Sequence, residues 1–433
     1  MTLPKTYHVK SFGCQMNVYD GERMGELLGA EGMAATSEGE ADLIVLNTCH
    51  IRERAVHRVY SEIGRLKRDD GTRPMIAVAG CVAQAEGAEV SRRAREVDIV
   101  VGPQAYHRLP QLVAKAAAGQ RAVDTDMPAE TKFGALPVRG AQRPSAFLTV
   151  QEGCDKFCTY CVVPYTRGAE VSRPFDAIID EARALIAGGA KEITLLGQNV
   201  NAWRDGDRGL HDIIAAIDAL PGLHRIRYTT SHPNDMQQGL IDAHRSVEKL
   251  MPYLHLPVQS GSDPILKAMN RSHSRDSYLR LLDRVRSSRP DIALSGDFIV
   301  GFPGESDADF DATLSIIAEV GYAQAYSFAY SARPGTPAAT MDAQIPKAVM
   351  DARLQALQAA INVQQQAFND ASVGTKTQLL LERSGKLADQ FIGKSPWLQS
   401  VHVVGDQFVI GDVIDVELVA AGPNSLTGRP QAT

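Results

Sequence analysis

Short apolar runs alternate with helix-like stretches along most of the chain, and this alternation is what most limits the fold. In the first hundred residues, the runs HVKSFG, LIVLN and MIAVAG are each followed by a stretch with helical character (residues 8–13, 43–47 and 75–80). Nearly continuous apolar runs of this length are typical of strands that are buried on both faces of a parallel sheet. We therefore expect an N-terminal α/β domain over residues 5–120.

The same alternation resumes after residue 145 and repeats about six times. Helical stretches, including Phe175–Ala187 and Ser306–Val320, lie between six strand candidates: 147–150, 192–196, 225–229, 253–258, 292–300 and 325–330. Six such units predict a partial (βα)6 barrel rather than a closed barrel of eight. We expect this barrel to form a central domain over residues 140–372, after a polar, Pro- and Gly-rich linker at 120–145.

The last part of the chain, residues 373–433, follows a long helical run over 345–370 and has a different pattern. Four short β-like runs, TQLLLE, VHVV, QFVI and DVIDVELV, are separated by turn-forming residues. This pattern predicts a small antiparallel β-barrel.

The chain has 433 residues and six cysteines, and its first residues contain no apolar export segment. Cysteines in a large chain of this kind favour metal or redox chemistry over a disulfide framework. Three of them, Cys154, Cys158 and Cys161, stand in GCDKFCTYC, just after the first strand of the predicted barrel. Three thiolates at this spacing can bind three irons of a cubane cluster and leave the fourth iron open. A cluster that only carries electrons, or a structural zinc ion, would be expected to have four protein ligands.

The other three cysteines, Cys14, Cys49 and Cys81, each follow one of the N-terminal apolar runs. Because the carboxyl ends of parallel strands meet at one edge of a sheet, we expect these three thiols to lie close together. A second three-cysteine metal site is one interpretation. The alternatives are three buried thiols without a metal, or a zinc ion with His50 or His57 as the fourth ligand.

C-x3-C-x2-C at the head of a βα barrel resembles the radical S-adenosylmethionine (SAM) superfamily. The resemblance implies that the open iron binds SAM and that an electron from the cluster cleaves it to a 5′-deoxyadenosyl radical. The loops GQNVN, SHP, VQSGS and GDFIVGFPGES fall where a barrel places its active site. By resemblance, the residues that would help to hold SAM are Gln198, Ser231, Gln259 and Gly301–Glu305. The alternative interpretation of these loops is ordinary βα turns. Arg167 and Arg173, in TRGAEVSRP, are candidate partners for an anion.

The segments GCQMN, NTCHIRERA and AGCVAQ, with the barrel motifs, resemble the methylthiotransferase branch of this superfamily, and the C-terminal segment resembles a TRAM module. The resemblance extends over nearly the whole chain. It implies two [4Fe-4S] clusters, with all six cysteines as ligands, and the conversion of a C–H bond into C–S–CH3. It is greatest for the group that acts on carbon 2 of N(6)-(dimethylallyl)adenosine in tRNA, next to the anticodon on its 3′ side. Related groups act on a ribosomal-protein aspartate or on threonylcarbamoyl-adenosine in tRNA. An iron–sulfur electron-transfer or carrier protein is the alternative from another class.

The net charge of −6 means that any RNA contact must use local basic patches. Candidates in the N-terminal domain are Arg52, Arg54, Arg58, Arg65, Lys67, Arg68, Arg92, Arg93 and Arg95. Candidates in the C-terminal segment are Lys376, Arg383, Lys386, Lys394 and Trp397. The alternative is a solvated helix face with ion pairs. We further expect a cytoplasmic monomer without a membrane span that receives electrons from a donor such as a flavodoxin or ferredoxin.

Overall fold

The computed structural model describes residues 3–50, 53–67, 72–127, 132–139 and 143–431, without the side chains of residues 53–57. The chain forms two compact units. The N-terminal unit comprises Met1–Arg139, Glu152–Asp155 and Cys161–Val171. The barrel unit comprises Gly140–Gln151, Lys156–Tyr160 and Ser172–Thr433.

A six-stranded sheet organises the N-terminal unit. Its strands are β1 Thr6–Ser11, β2 Ala34–Ala35, β3 Leu43–Thr48, β4 Met75–Gly80, β5 Ile99–Val101 and β6 Ala122–Asp124. Its helices are α1 Gln15–Ala30, α2 Glu53–Arg65, α3 Cys81–Glu86, α4 Ala88–Arg93 and α5 Leu109–Ala117. The strands are all parallel and lie in the order β2-β1-β3-β4-β5-β6.

Both faces of this sheet are covered, which explains its sequence pattern. Every residue of β3 and of β4 is buried, and separate apolar clusters fill the two faces. The predicted parallel α/β domain is therefore confirmed. The predicted linker at 120–145 is wrong in part, because β6 joins the sheet and Lys132 is only 1% exposed. A polar side chain can be buried when ionic partners surround it, and those partners are distant in sequence.

The first strand of the partial barrel is β7 Ser145–Thr149. The C-x3-C-x2-C segment, which we call the barrel motif, follows it and is flanked in sequence by three short elements: β8 Gln151–Glu152, α6 Val163–Arg167 and β9 Val171–Ser172. The remaining strands of this region are β10 Glu192–Leu196, β11 Arg204–Asp205, β12 Arg208–Gly209, β13 Arg225–Tyr228, β14 Tyr253–His255, β15 Ala293–Val300 and β16 Gln324–Ala329. The helices are α7 Phe175–Ala187, α8 Leu210–Asp218, α9 Gln238–Ser246, α10 Asp263–Ala268, α11 Arg275–Ser288, α12 Asp307–Val320 and α13 Lys347–Ala371.

Six parallel strands form the partial barrel in the predicted chain order. They pair as two three-stranded sheets, β13-β10-β7 and β14-β15-β16, and a parallel bridge between Ile226 and Leu250 links the two. Each predicted strand agrees with an observed one to within a few residues. Helix α12 begins one residue after the predicted start because Ser306 caps it: the Asp309 amide donates to Ser306 Oγ (3.3 Å), and the Ser306 amide donates to the Asp309 carboxylate (2.9 Å).

A closed five-stranded barrel ends the chain. Its strands are β17 Lys376–Ser384, β18 Gln390–Lys394, β19 Ser400–Val404, β20 Val413–Ala421 and β21 Leu426–Pro430, in the order β17-β18-β19-β21-β20. The predicted small barrel is confirmed, although β19 and β21 pair in parallel. The predicted strand at QFVI (407–410) is wrong. Val409 and Ile410 are exposed there, and the strand lies at QFIGK (390–394) instead.

Two arginines of β13 in the partial barrel bind the C-terminal barrel, which belongs to the same unit. Arg225 donates to the main-chain oxygens of Lys394 and Gln378 (both 2.7 Å). Arg227 donates to the main-chain oxygens of Ser395 and Pro396 (both 2.8 Å), and its Nε donates to the Glu192 carboxylate (2.9 Å). Both side chains are buried.

A buried histidine also lies in this unit. His244 Nε2 is 2.6 Å from the Tyr228 hydroxyl, and Arg289 donates to its main-chain oxygen (3.0 Å). Burial, and then the positive charge of Arg289, lower the pKa of His244 to about 3. Among the described residues, no helix combines the length and the apolar character needed to cross a lipid bilayer.

Candidate active site

The first three cysteines lie where the sequence predicts, at the ends of neighbouring parallel strands. Cys14 precedes α1, Cys49 follows β3, and Cys81 begins α3 directly after β4. We call these three residues the N-terminal triad. The approach of the chains is close: a Cβ on Gly13 (φ +118°) would lie 2.2 Å from Cys49 Cβ. Glycine at this position therefore allows the strand ends to bring the thiols together.

The thiols of the N-terminal triad are electrostatically coupled. A hydrogen bond from Cys49, and then the positive charge of Arg167, lower the pKa of Cys14 to about 6 against the opposing effect of burial. The Cys14 thiol also lies 3.0 Å from Asn17 Oδ1. Burial raises the pKa of Cys81, and the positive charge of Arg167 opposes that rise. Iron is bound by thiolates, so a site that stabilises at least one thiolate suits iron–sulfur chemistry.

A buried ionic group adjoins this triad, and most of its members had no signal in the sequence. Arg167 forms ion pairs with Asp20 (2.6 Å) and Glu152 (3.1 Å). Lys132 pairs with the same two carboxylates, at 2.8 Å from Glu152 and 3.6 Å from Asp20. The sequence indicated Arg167 as an anion partner but gave no indication of Asp20, Glu152 or Lys132. We call these four residues the ionic group.

Arg173, the other predicted anion partner, has a different environment. It donates to the main-chain oxygen of Thr149 (2.6 Å) and to the Glu181 carboxylate (2.7 Å). These bonds connect the end of β7 to α7 within the barrel unit. The side chain therefore supports the barrel.

The C-x3-C-x2-C loop contributes to both compact units. Cys154 and Cys161 belong to the N-terminal unit, and Cys158 belongs to the barrel unit. The Cys154 amide donates to the main-chain oxygen of Gly168 (3.3 Å), and the Val163 amide donates to the Cys161 sulfur (3.5 Å). In the barrel unit, Arg271 donates to the Cys158 sulfur (3.6 Å) and to the main-chain oxygen of Pro257 (2.6 Å). Hydrogen bonds to cluster ligands of this kind tune iron–sulfur centres.

The loops predicted to hold SAM occur at the carboxyl ends of the barrel strands. The Gln198 amide donates to Gln151 Oε1 (2.9 Å), so the first loop is fixed to β8. Ser231 is buried, and its hydroxyl has no hydrogen-bond partner within the described part of the chain. Gln259 has a φ of +78°, a conformation that non-glycine residues adopt rarely and mostly at functional sites. A hydroxyl without a partner and a strained glutamine fit a pocket that receives a polar ligand.

The last of these loops is held by its own glutamate. Glu305 accepts hydrogen bonds from the Gly301 amide (2.7 Å) and from Arg353 (2.8 Å). Glu305 therefore shapes the loop of Gly301, and we expect the loop backbone rather than this carboxylate to face a ligand.

Each set of three cysteines has the donor type that an iron–sulfur cluster requires. In a cubane each cysteine binds a different iron, so three sulfurs need not converge on one point. Within the described ranges, no three or more histidine, cysteine, aspartate or glutamate side chains converge closely enough to bind one metal ion. The zinc interpretation requires His50 or His57 as the fourth ligand, and the side chain of His57 lies outside the description.

Part of the predicted basic surface is already paired. Arg58 and Arg65 form ion pairs with Glu62, at 3.9 and 3.2 Å. Arg92 and Arg93 pair with Glu89 and Glu86, at 2.6 and 3.3 Å. Five other predicted basic residues are exposed and form no ion pair within the described part of the chain: Lys67, Arg95, Lys376, Arg383 and Lys386. Arg52 and Arg68 lie outside the described residues, and the side chain of Arg54 is also outside the description.

Two predicted RNA contacts in the C-terminal barrel instead have structural partners. Trp397 Nε1 donates to the main-chain oxygen of Asp291 (2.9 Å), and the indole packs beside Tyr253. Lys394 is half-buried and donates to Ser400 Oγ (2.9 Å). Neither side chain projects freely into solvent.

Comparison with known proteins agrees with this geometry. Residues 6–102 match the uncharacterized protein family UPF0004, and residues 148–317 match the radical SAM superfamily. A radical S-adenosylmethionine methyltransferase, TsrM, from Kitasatospora setae has a similar fold, with a TM-score of 0.58 and 14% identity over 78% of this chain and 77% of that one.

Curated relatives are much more similar. The tRNA-2-methylthio-N(6)-dimethylallyladenosine synthase of Sphingopyxis alaskensis is 70% identical over 99% of this chain and 98% of its own length. The synthase of Novosphingobium aromaticivorans is 67% identical over 98% of this chain and 97% of its own length. This chain therefore belongs to the tRNA-2-methylthio-N(6)-dimethylallyladenosine synthase family of radical SAM enzymes.

Proposed function

We propose that this chain methylthiolates carbon 2 of N(6)-(dimethylallyl)adenosine in tRNA, with one [4Fe-4S] cluster on each cysteine triad. The observation that carries the proposal is the presence of two sets of three cysteines, one at the ends of neighbouring strands of the N-terminal sheet and one in the C-x3-C-x2-C segment. A single radical SAM cluster needs only one of them. A second site with three thiolates suits the attachment or delivery of sulfur, because its fourth iron is open to an exogenous ligand.

Each part of the site has a distinct task in this proposal. The clusters and SAM, when bound, supply the radical that removes hydrogen from carbon 2 and the sulfur that takes its place. Cys154, Cys158 and Cys161 hold the radical-generating cluster, and Cys14, Cys49 and Cys81 hold the other. Loops at Gln198, Ser231, Gln259 and Gly301 hold SAM, while Arg353 and Glu305 keep the last loop in shape.

The tRNA substrate places further demands on the chain. The target base must leave the anticodon-loop stack to reach the radical, and backbone phosphates must be bound by basic side chains. Lys67, Arg95, Lys376, Arg383 and Lys386 are the exposed candidates for these contacts. The proposal includes a cytoplasmic monomer that is reduced by a flavodoxin or ferredoxin.

Iron counting with matched triple variants tests the two-cluster arrangement. The reconstituted protein should hold roughly eight irons per chain, two cubanes' worth. Changing Cys14, Cys49 and Cys81 to Ala should leave roughly four irons, retain SAM cleavage and abolish methylthiolation. Changing Cys154, Cys158 and Cys161 to Ala should also leave roughly four irons but abolish SAM cleavage. Four irons in the fully reconstituted parent protein would contradict the proposal.

The acceptor is tested in bulk tRNA. Deletion of the gene should remove the 2-methylthio nucleoside from digested tRNA, and expression of the chain should restore it. Unchanged methylthio-nucleoside levels would instead favour the ribosomal-protein aspartate as acceptor. An absence of SAM cleavage under reducing conditions would favour an electron-transfer or carrier protein.

A further inference from the structure

Arg167 comes from the segment that carries the barrel-motif cysteines, yet its side chain lies at the N-terminal triad. It stands six residues after Cys161 and ends α6, in a part of the chain that belongs to the N-terminal unit. Helix α6 packs against α3, which begins at Cys81, and the guanidinium interacts electrostatically with Cys81 and Cys14. The segment that follows the barrel-motif cysteines therefore supplies a side chain to the surroundings of the N-terminal triad.

The guanidinium is held in one orientation. Asp20 accepts from one terminal nitrogen (2.6 Å) and Glu152 accepts from the other (3.1 Å). Arg167, Asp20 and Glu152 are each at most 3% exposed. A planar guanidinium whose two ends are bound by buried carboxylates cannot turn without breaking charge-assisted hydrogen bonds.

The backbone near Arg167 is also fixed to the backbone near Cys154. The Cys154 amide donates to the main-chain oxygen of Gly168 (3.3 Å), and Glu152 stands two residues before Cys154. Gln104 Nε2 donates to the main-chain oxygen of Arg167 itself (2.9 Å). The position of Cys154 in the N-terminal unit is therefore determined together with the position of the guanidinium.

The charges of the ionic group make this arrangement sensitive to the loss of Arg167. The two cations, Arg167 and Lys132, balance the two carboxylates of Asp20 and Glu152. Without Arg167, two buried carboxylates and the neighbouring thiolates would share one lysine. Added negative charge makes an adjacent iron–sulfur cluster harder to reduce.

We propose that Arg167 is a positioning residue shared by the two cysteine triads: it holds a fixed positive charge beside Cys81 and Cys14 of one triad, and its segment fixes the Cys154 loop of the other. The inference rests on the proposed function, because it assumes that the N-terminal triad binds a cluster. Asp20 and Glu152 hold the guanidinium, and Lys132 neutralises the excess carboxylate.

The first test measures the reduction potential of the cluster on the N-terminal triad. A full-length background with Cys154, Cys158 and Cys161 changed to Ala isolates that cluster. Arg167→Gln should shift its midpoint potential to a more negative value, and Arg167→Lys, which keeps the charge, should shift it less in the same direction. Arg139→Gln is the matched control. It removes a buried arginine that pairs with Glu22 and Glu26 of the same helix α1 (2.7 and 3.3 Å), and it should leave the potential unchanged.

The second test follows hydrogen exchange in the otherwise unmodified chain. Arg167→Gln should speed amide exchange in residues 152–155 and 166–169, and Arg139→Gln should not. A folded Arg167→Gln or Arg167→Lys protein with unchanged potential and unchanged exchange would overturn the proposal. If Arg167→Gln does not fold, Arg167→Lys decides both measurements. Failure of the parent triad to bind iron would refute the proposed function, while the exchange measurement would still test the connection between Arg167 and the Cys154 loop.

Discussion

Gly153 immediately precedes the first cysteine of the barrel motif, and its replacement by alanine should displace that cysteine. Its φ of +74° lies in the left-handed region, and an added Cβ would stand 1.9 Å from the main-chain oxygen of Ala169. The left-handed conformation costs an L-residue about 1–2 kcal/mol. Because the clash is with backbone, no rotamer relieves it, and overpacking of this kind adds about 1–3 kcal/mol. We expect Gly153→Ala to lower the free energy of unfolding by about 2–5 kcal/mol.

Gly206→Ala is the matched control for this substitution. Gly206 has a φ of +59°, and the described residues place no heavy atom within 4 Å of its added Cβ beyond its chain neighbours. It should therefore show the conformational cost alone, about 1–2 kcal/mol.

Iron counting after reconstitution, combined with urea unfolding, gives the readout. In the two-cluster arrangement Gly153→Ala should fall from roughly eight irons towards roughly four, because Cys154 no longer meets its cluster, whereas Gly206→Ala should keep roughly eight. Equal iron content and equal unfolding midpoints in the two variants would show that the contact at Ala169 does not position Cys154.

Three further predictions concern the barrel unit. Arg227→Met should lower the free energy of unfolding by about 3–5 kcal/mol because it leaves Glu192 buried without its cation, and the double variant with Glu192→Leu should recover most of the loss in urea titrations. His244 has a folded-state pKa of about 3, below its ordinary value, so the unfolded chain binds the extra proton and stability should fall as pH drops from about 6.5 towards about 3, by up to about 1.4 kcal/mol per pH unit. His244→Phe should lower the slope of unfolding free energy against pH by the contribution of one proton. An unchanged slope would show that His244 is not the group responsible. Arg271→Gln removes the donor to the Cys158 sulfur and should make the barrel-motif cluster harder to reduce, as measured by an EPR-monitored redox titration, while Arg284→Gln should leave it unchanged.

The strands of both α/β regions could be predicted because burial on two faces imposes a long apolar run. β10 and α7 have the predicted limits, residues 192–196 and Phe175–Ala187. In the C-terminal barrel each strand has one buried face, so a half-apolar segment is less distinctive. QFVI at 407–410 and QFIGK at 390–394 look alike in sequence, yet only the second is a strand.

In the candidate site, too, some residues could be predicted from the sequence and others could not. Cysteine spacing and strand order place all six thiols at strand ends or in the first barrel loop, because topology alone decides those positions. The ionic group could not be predicted, since Lys132 stands 112 residues after Asp20 in a polar segment, and only the tertiary structure brings the two together. Trp397 shows the converse: the sequence made it a candidate RNA contact, whereas its observed partner, the main-chain oxygen of Asp291, has no sequence signal.

The attachment of the C-terminal barrel has a consequence for how such enzymes diversify. Arg225 and Arg227 donate hydrogen bonds to main-chain oxygens of that barrel, and every residue type supplies such an oxygen. The Glu382 side chain of β17 adds an electrostatic interaction with both arginines. Other side chains of the barrel can therefore change while these hydrogen bonds persist. A C-terminal barrel grafted from a relative should therefore bind to the same two arginines.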